Sequence, residues 1–282
     1  MSGDATVSLL LQHAGRRYAV DVAGGVSLAI PLDPHGAQPT HFGAPAAHAA
    51  PLAAGGFTGD TRLGGSCNCE TVTLVPHCNG THTEGPGHVT RERLSVHDRA
   101  TEALQLAALV TVTAEDAAAC GETSDPAPQP GDRLITARGI EAALAALDLR
   151  ADARCSALVV RTLPIGVDAR ARDWMAPPLP PYFSLEAMAL LVARGVRHLL
   201  TDLPSVDRLL DEGRLSGHRV FFGMPPGSCA AAEVGRPEST ITEMICVPGT
   251  LADGLYALSL QLAPWVTDAT PSRPLLYPLE AA

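Results

Sequence analysis

The stretch VPHCNGTHTEGPGH, residues 75–88, concentrates three histidines, one cysteine and one glutamate in a chain that is otherwise rich in Ala, Leu, Val, Gly and Pro. If residues 80–84 form a strand, His82 and Glu84 point to the same face, because side chains alternate along a strand with a period of two. The Gly-Pro-Gly run that follows ends the strand and allows the chain to turn. We therefore expect His88 to return close to the same face after the turn.

Imidazole and carboxylate groups together form a ligand set that suits Zn²⁺ or Mn²⁺. A cation with an open coordination position binds a water molecule and lowers its pKa toward neutrality. A neutral histidine beside that water is suited to general acid–base catalysis. The pattern His82, Glu84, His88 therefore predicts a metal site with an adjacent acid–base group.

Two other interpretations of this region stay open. The histidines could be ordinary surface or core groups, or the nearby cysteines could form a structural zinc site with a neighbouring histidine. The residues of that zinc alternative are Cys67, Cys69 and Cys78 with His77 or His82. The Cys-Asn-Cys spacing fits structural zinc sites poorly, because these usually separate paired cysteines by two to four residues.

The composition of the whole chain narrows the classes of partner. Its 282 residues include 20 basic side chains, all arginine, and 30 acidic ones, which give a net charge of −10. This charge argues against a nucleic-acid partner and against an anionic membrane surface, so we expect a small-molecule partner. No apolar run is long enough for a membrane-spanning helix, and no basic segment precedes an N-terminal apolar stretch as in a signal peptide. Seven cysteines, an odd number, indicate reduced thiols and a cytoplasmic location.

The hydrophobic pattern predicts strands first, then helices alternating with strands, then strands again. The predicted strands are residues 7–11 and 18–22 (a hairpin), 26–32, 70–77, 155–163, 196–204, 240–247 and 255–262. The predicted helices are residues 140–149 and 184–195, the second capped by Ser184. Residues 33–56 form a long loop rich in Pro, Gly and Ala. This order indicates one mixed α/β domain over residues 1–282, with residues 1–56 packing on it.

Residues 78–88, CNGTHTEGPGH, resemble the H-x-G-T-H-x-D-x-P-x-H signature of the cyclase-like metal-dependent hydrolases, the family that contains bacterial kynurenine formamidase and isatin hydrolase. The residues in register are Gly80, Thr81, His82, Pro86 and His88. The first position departs from the signature, because Cys78 stands where the family has histidine and His77 lies one residue earlier. A second departure is Glu84, which stands where the family has aspartate.

The resemblance continues in order along the chain. GVRHLLTDLPSVDRL, residues 195–209, resembles a buried family strand that ends in a D-x-P-S-x-D turn. GHRVFFG, residues 217–223, follows where the family places a metal-binding histidine, here His218. STITEMICV, residues 239–247, resembles the strand that carries a metal-binding glutamate, here Glu243. Residues 256–279 resemble the closing strand with its D-G-x-P-x-R segment, here Asp268 to Arg273.

The resemblance implies a role for each matched residue. His82, Glu84 and the residue in the first position would bind one metal ion. Glu84, His218 and Glu243 would bind a second, with the two carboxylates able to bridge. His88 would be the catalytic acid–base group.

The two departures leave the first position open. Cys78 would bind Zn²⁺ as a thiolate at about 2.3 Å, farther than a histidine nitrogen. A one-residue bulge after His77 would instead present that imidazole. A third alternative is that the first ion is lost and one ion remains.

The resemblance also implies a fold and an activity. The fold is a swivelling β/β/α domain with a central mixed, barrel-like β-sheet and flanking helices, assembled as a homodimer or homotetramer. The activity is hydrolysis of a C–N bond in an amide or cyclic amide through metal-activated water, as in a formamidase. The alternatives are a lactone hydrolase or dehydratase that uses the same site, and a non-catalytic metal-binding protein. His41 and Phe42 in the long loop would cover the site.

Overall fold

A computed structural model of the protein describes residues 9–13, 15–147, 155–163 and 169–281. The strands in these ranges are β1 (Leu9–His13), β2 (Arg16–Val20), β3 (Val26–Ser27), β4 (His48–Pro51), β5 (Ala53–Ala54), β6 (Phe57–Thr58), β7 (Glu70–Thr73), β8 (His82–Glu84), β9 (Gln105–Thr113), β10 (Glu115–Asp116), β11 (Arg133–Ile135), β12 (Ala157–Leu163), β13 (Tyr182–Phe183), β14 (His198–Thr201), β15 (Thr240–Glu243), β16 (Gly254–Ser259), β17 (Ala269–Pro271) and β18 (Leu275–Ala281). The α-helices are α1 (Pro76–Asn79), α2 (Ala117–Cys120), α3 (Ala137–Ala145), α4 (Leu185–Ala193) and α5 (Ser216–Phe222). Short 3₁₀ turns cover Thr61–Leu63, Pro86–His88, Ala169–Ala171 and Ala231–Glu233.

One large mixed sheet organises these elements. Its strands follow the order β1-β2-β18-β16-β9-β12-β14-β15-β8-β17, and β3 pairs with β18. The central strands β9, β12, β14 and β15 run parallel to one another. On one side β16 pairs antiparallel with β9, and on the other β8 pairs antiparallel with β15. The expected mixed α/β architecture is therefore confirmed.

The central strands are buried on both faces, which is why they are almost continuously apolar. In β9, Ala108 and Val110 pack with the helices on one face, while Ala107 and Leu109 belong to a second cluster on the other face. Phe183, Met188 and other side chains from the α4 region fill the helical side. The two clusters fix the central strands, and the functional residues described below lie where those strands end.

Several predicted elements agree with the structure. The N-terminal hairpin is present as β1 and β2, although residues 7 and 8 lie outside the described ranges. Helix α4 begins after Ser184, whose side chain accepts a hydrogen bond from the backbone N–H of Ala187. The other predicted helix corresponds to α3, and residues 148 and 149 of that prediction are not among the described residues. No helix in the described part of the chain is both long and apolar enough to cross a membrane.

Other predicted elements were too long. The strand predicted over residues 70–77 ends at Thr73, and Pro76 begins the short helix α1 instead. Proline favours the first turn of a helix, because its fixed φ suits a helix and its missing N–H would have no partner there. The strand predicted over residues 240–247 ends at Glu243, because Met244 adopts a positive φ of 52° that breaks the extended path. The long loop at residues 33–56 contains β4 and β5.

Candidate metal centre

Three adjacent strands bring the acidic and histidine residues together. In the antiparallel register of β8 and β15, Glu243 lies directly opposite His82. On the other edge of β8, Ala269 of β17 lies opposite Glu84, and the N–H of Gly85 donates to the carbonyl of Asp268 at 3.0 Å. Directly opposed residues of paired strands project to the same face. The pairing therefore places residues far apart in the chain around one point.

Glu84 lies at the centre of this arrangement and is fully buried. Its Oε1 is 2.7 Å from Nε2 of His218, and its Oε2 is 2.9 Å from Nδ1 of His77 and 3.8 Å from Nδ1 of His88. A single carboxylate thus faces three imidazoles. This is the position that a bridging ligand would occupy.

Glu243 completes the buried side. Its Oε2 lies 3.5 Å from Nε2 of His82, and its Oε1 lies 3.6 Å from Nε2 of His218. The same Oε1 accepts a hydrogen bond from the backbone N–H of Val206 at 2.8 Å, which holds the carboxylate in place. His218 is the third residue of α5 and is also buried. An isolated histidine near the start of a helix is typically solvated, so this burial is not what its position alone predicts.

The two buried imidazoles are oriented by partners on their far sides. Nδ1 of His82 donates to the carbonyl of Gly80 at 3.0 Å, and Nδ1 of His218 donates to Oδ2 of Asp207 at 2.6 Å. In each ring Nε2 is therefore left to face the centre. Metal-binding histidines commonly carry such a second partner, which fixes the tautomer and the ring orientation.

Several buried atoms at the centre have no hydrogen-bond partner among the described residues. They are Nε2 of His82, Nε2 of His218 and both carboxylate oxygens of Glu84. Their close approaches to one another do not have hydrogen-bond geometry. Buried polar atoms are nearly always satisfied, so a convergent set without partners indicates a missing ligand. Nitrogen and carboxylate oxygen donors fit a divalent ion such as Zn²⁺ or Mn²⁺.

The donors form two groups that share Glu84. The inner donor group is His82, Glu84 and Glu243, and all three residues are buried. The outer donor group is His77, Glu84 and His88. Within each group the potential ligand atoms lie within 4.8 Å of one another. The arrangement can therefore accommodate one ion or two ions bridged by Glu84.

The structure separates His77 from Cys78. Because they are consecutive residues of helix α1, their side chains leave the helix in different directions. The His77 imidazole lies between Glu84 and Asp268, 2.9 Å from each carboxylate. Cys78 is buried outside both donor groups, and burial followed by the charge of Glu243 raises the pKa of its thiol. The bulge that was one alternative for presenting His77 is not formed, and a helical turn is found there instead.

His88 lies on the outer side of the centre, at the end of the 3₁₀ turn formed by the Gly-Pro-Gly run. About a quarter of its side chain is exposed, as is a quarter of His77, whereas Glu84 is fully buried. Its Nδ1 is 3.6 Å from Oδ2 of Asp268. This side of the centre is the one that a small molecule can reach.

The charges around Glu84 favour its ionised form. Burial opposes ionisation, but the positive charges of His88 and His218 hold the pKa of Glu84 well below its usual range. Burial lowers the pKa of His77, yet its hydrogen bond with Asp268 and the nearby negative charge of Glu84 raise it to about 10. The hydrogen bond from His77, followed by the neighbouring His88 imidazole, keeps the pKa of Asp268 well below its usual range. The pKa of His218 is also raised, because the charges of Glu84 and Asp207 outweigh its burial, so protons on His77 and His218 can balance the carboxylate charges.

His41, which was expected together with Phe42 to cover the site, lies close enough to His82 to be influenced by its charge. The His41 side chain is buried, and neither ring nitrogen has a hydrogen-bond partner in the part of the chain that the structure describes. Burial, together with the charge of His82, lowers its pKa to about 4. Phe42 is about half exposed at the surface.

Two contributing residues were not singled out from the sequence. Asp207 lies in the D-x-P-S-x-D turn and orients His218 through the backbone and the ring. Asp268 lies in the C-terminal segment and contacts His77 and His88. Both belong to stretches that carried the resemblance, so an acidic residue at a strand end in those stretches was the available signal.

Comparisons with known proteins agree with the fold. The model of the family described as "Putative cyclase" matches residues 26–208. Isatin hydrolase A from Labrenzia aggregata, bound to benzyl benzoate, is 15% identical with a TM-score of 0.59, and the match covers 91% of this chain and 94% of that one. A predicted metal-dependent hydrolase from Bacillus stearothermophilus is 16% identical with a TM-score of 0.55, covering 90% and 97%. A comparison with curated protein sequences gave no match.

Proposed function

The chain belongs to the cyclase family, and we propose that it is a metal-dependent hydrolase that cleaves the C–N bond of an amide or cyclic amide. The observation that carries this proposal is the pair of donor groups that share the buried carboxylate of Glu84. The similar folds include an isatin hydrolase bound to the product analogue thioisatinate. Formamides of aromatic amines are further candidate substrates, because they contain in an open chain the same kind of C–N bond as a cyclic amide.

We assign the residues as follows. His82, Glu84, His218 and Glu243 would hold a cation on the buried side of the centre, and His77 rather than Cys78 would supply the ligand on the outer side. A divalent cation bound there would polarise the substrate carbonyl and supply a water molecule of lowered pKa. Zinc and manganese both suit these donors.

His88 transfers the proton in this proposal. Hydrolysis adds water to the carbonyl carbon and breaks the C–N bond, and the departing nitrogen must gain a proton. His88 is on the accessible side of the centre, and Asp268 lies 3.6 Å from its Nδ1. A carboxylate at this nitrogen orients the ring and leaves Nε2 to exchange a proton with the substrate.

We further propose that the protein works in the cytoplasm as a homodimer or homotetramer. The net charge of −10 and the acidic centre support a small-molecule substrate over a nucleic acid or a membrane. Sedimentation of the purified protein would measure the assembly, and a monomer at micromolar concentration would contradict it.

The proposal is tested by removing and restoring the metal. Protein stripped with a chelator, and the same protein reloaded with Zn²⁺ or Mn²⁺, are assayed on formanilides, cyclic amides and lactones. We expect the reloaded protein to hydrolyse an amide at least about 100-fold faster than the stripped protein. Hydrolysis of lactones alone would contradict the C–N assignment. A reloaded protein with stoichiometric metal and no hydrolysis would indicate a non-catalytic metal-binding protein.

The ligand in the first position gives a separate prediction. We expect Cys78→Ser to keep the wild-type metal content, and His77→Ala to lower the affinity of the centre by about 100-fold, because it removes a donor from the outer group. Cobalt(II) substituted into the wild-type protein should lack the near-ultraviolet absorption that thiolate ligands give. Intense thiolate absorption that disappears in Cys78→Ser would show that the sulfur is the ligand.

A further inference from the structure

A cavity opens beside the outer side of the metal centre. Its volume is about 330 Å³, a size suited to a small organic molecule. Its lining includes Gly87 and Asp268, which adjoin His88, and the wall formed by residues 90–95. A molecule in this cavity is therefore next to the proposed acid–base group.

The wall of residues 90–95 is held in place from three directions. The backbone N–H of Arg91 donates to the carbonyl of Cys229 at 2.7 Å, and the N–H of Val96 donates to the carbonyl of Thr267 at 2.9 Å. Gly87 permits the third contact, because a Cβ atom there would lie 2.1 Å from the carbonyl oxygen of Leu94. The wall is thus fixed against the turn that carries His88.

This wall carries two arginines, Arg91 and Arg93, and both line the cavity. Within the described ranges, neither guanidinium forms an ion pair with a carboxylate within 4 Å. The intervening Glu92 also lines the cavity, and one oxygen of its carboxylate accepts a hydrogen bond from the backbone N–H of Ala231 at 2.8 Å. Two cations are therefore available to a molecule in the cavity.

Two arginines without ion-pair partners among the described residues stand out here, because the adjacent metal centre is built from acidic and histidine side chains. The chain has a net charge of −10, and the side chains around the centre are carboxylates and histidines. The Asp268 carboxylate, which also borders the cavity, is already paired with His77 at 2.9 Å. A positively charged substituent would be repelled by both arginines, whereas a carboxylate matches the fork of a guanidinium group.

We propose that the substrate carries a carboxylate, which Arg91 and Arg93 bind while the scissile amide lies at the metal centre. This inference rests on the proposed hydrolase function and specifies its substrate class. The arginines are specificity residues, because they would hold a part of the substrate that does not react. Their contribution should weaken as salt screens the charges.

The experiment compares substrates that differ only in this charge. The ortho, meta and para isomers of formamidobenzoate are assayed against the matching formamidobenzamides, in which a neutral amide replaces the carboxylate. We expect at least one carboxylate isomer to show a kcat/KM about 10- to 100-fold above that of its neutral partner, mainly through a lower KM. The double variant Arg91→Gln/Arg93→Gln should remove this preference and leave hydrolysis of the neutral compounds within about twofold.

Arg194→Gln serves as the matched control, because Arg194 pairs with Glu141 on the helical side of the sheet. Equal kcat/KM for charged and neutral partners, or a preference that survives in the double variant, would overturn the inference. If no compound of either kind is hydrolysed, the proposed function itself fails, and calorimetric titration with benzoate then decides the binding site. Benzoate binding to the wild type but not to the double variant supports the arginine site, and equal binding or no binding rejects it.

Discussion

Glu84→Gln is expected to remove metal binding and hydrolysis together. Glu84 is the residue that the inner and outer donor groups share, so its loss affects both. Glutamine keeps the size of the side chain but has no negative charge and only one oxygen donor. We expect the variant to retain less than about a tenth of the wild-type metal content and to lose at least about 1,000-fold in hydrolysis, or about 4 kcal/mol.

Two controls separate this effect from general damage. Glu84→Asp restores the residue that the family signature has at this position, and it should bind metal and retain activity within about tenfold, because a bridging carboxylate remains. Glu238→Gln changes an exposed glutamate that pairs with Arg99 at 3.3 Å, and it should change neither property. Metal analysis by mass spectrometry and circular dichroism report content and folding. Wild-type metal content in Glu84→Gln would contradict the central role of this carboxylate.

The metal-free protein gives a readout that does not depend on activity. Pairing with Asp268 and Glu84 outweighs burial and raises the pKa of His77 to about 10. The stabilisation from this raised pKa is fully present below the ordinary histidine pKa of about 6.5 and is lost as the pH rises through about 10. Without the Glu84 charge the folded-state pKa of His77 is lower, so this loss should be complete at lower pH. Histidine titration by NMR and denaturant unfolding of the metal-free proteins at several pH values would measure the difference.

Local periodicity was sufficient to predict part of this centre. The period of two placed His82 and Glu84 on one face, and strand β8 confirms that arrangement. The Gly-Pro-Gly run correctly predicted a turn before His88. These relations depend on neighbouring residues, so the chain's own geometry determines them.

Relations between distant segments could not be derived in the same way. Glu243 faces His82, and Asp268 reaches His77 and His88, only because β15 and β17 flank β8 in a particular register. The sequence of each strand does not specify its neighbours, and for Glu243 only the family resemblance supplied the link. Asp268 was within a resembling segment, but nothing in that segment assigned it to His77.

The central strand β9 was not predicted at all. Residues 105–113 are almost all buried, and strands covered on both faces have no alternating pattern to reveal them. A short apolar run of this kind cannot be told from a buried helix by its periodicity. The separation of His77 and Cys78 was missed for a related reason, because a strand was extended through Pro76 into what is a helical turn.

His88→Ala is expected to leave the metal in place and slow hydrolysis by about 100- to 10,000-fold, the range that a positioned acid–base group contributes. The alternative for His88 is concrete, because it belongs to the outer donor group with His77 and Glu84. A ligand and a proton donor differ in what their removal does. Loss of a ligand lowers the metal content and slows the hydrolysis of every substrate. Loss of a proton donor leaves the metal content unchanged.

The dependence on the leaving group distinguishes the two roles of His88 further. A formanilide with an electron-withdrawing ring releases a nitrogen that needs little protonation, so His88→Ala should slow it much less than it slows an unsubstituted formanilide. If His88 were a metal ligand, its loss would slow the hydrolysis of both formanilides equally. The matched control is His35→Ala, since His35 is exposed and pairs with Glu70 at 3.0 Å, away from the donor groups. If metal content falls in His88→Ala and both formanilides slow equally, His88 is a ligand of the outer ion, and the proton for the departing nitrogen must come from another group.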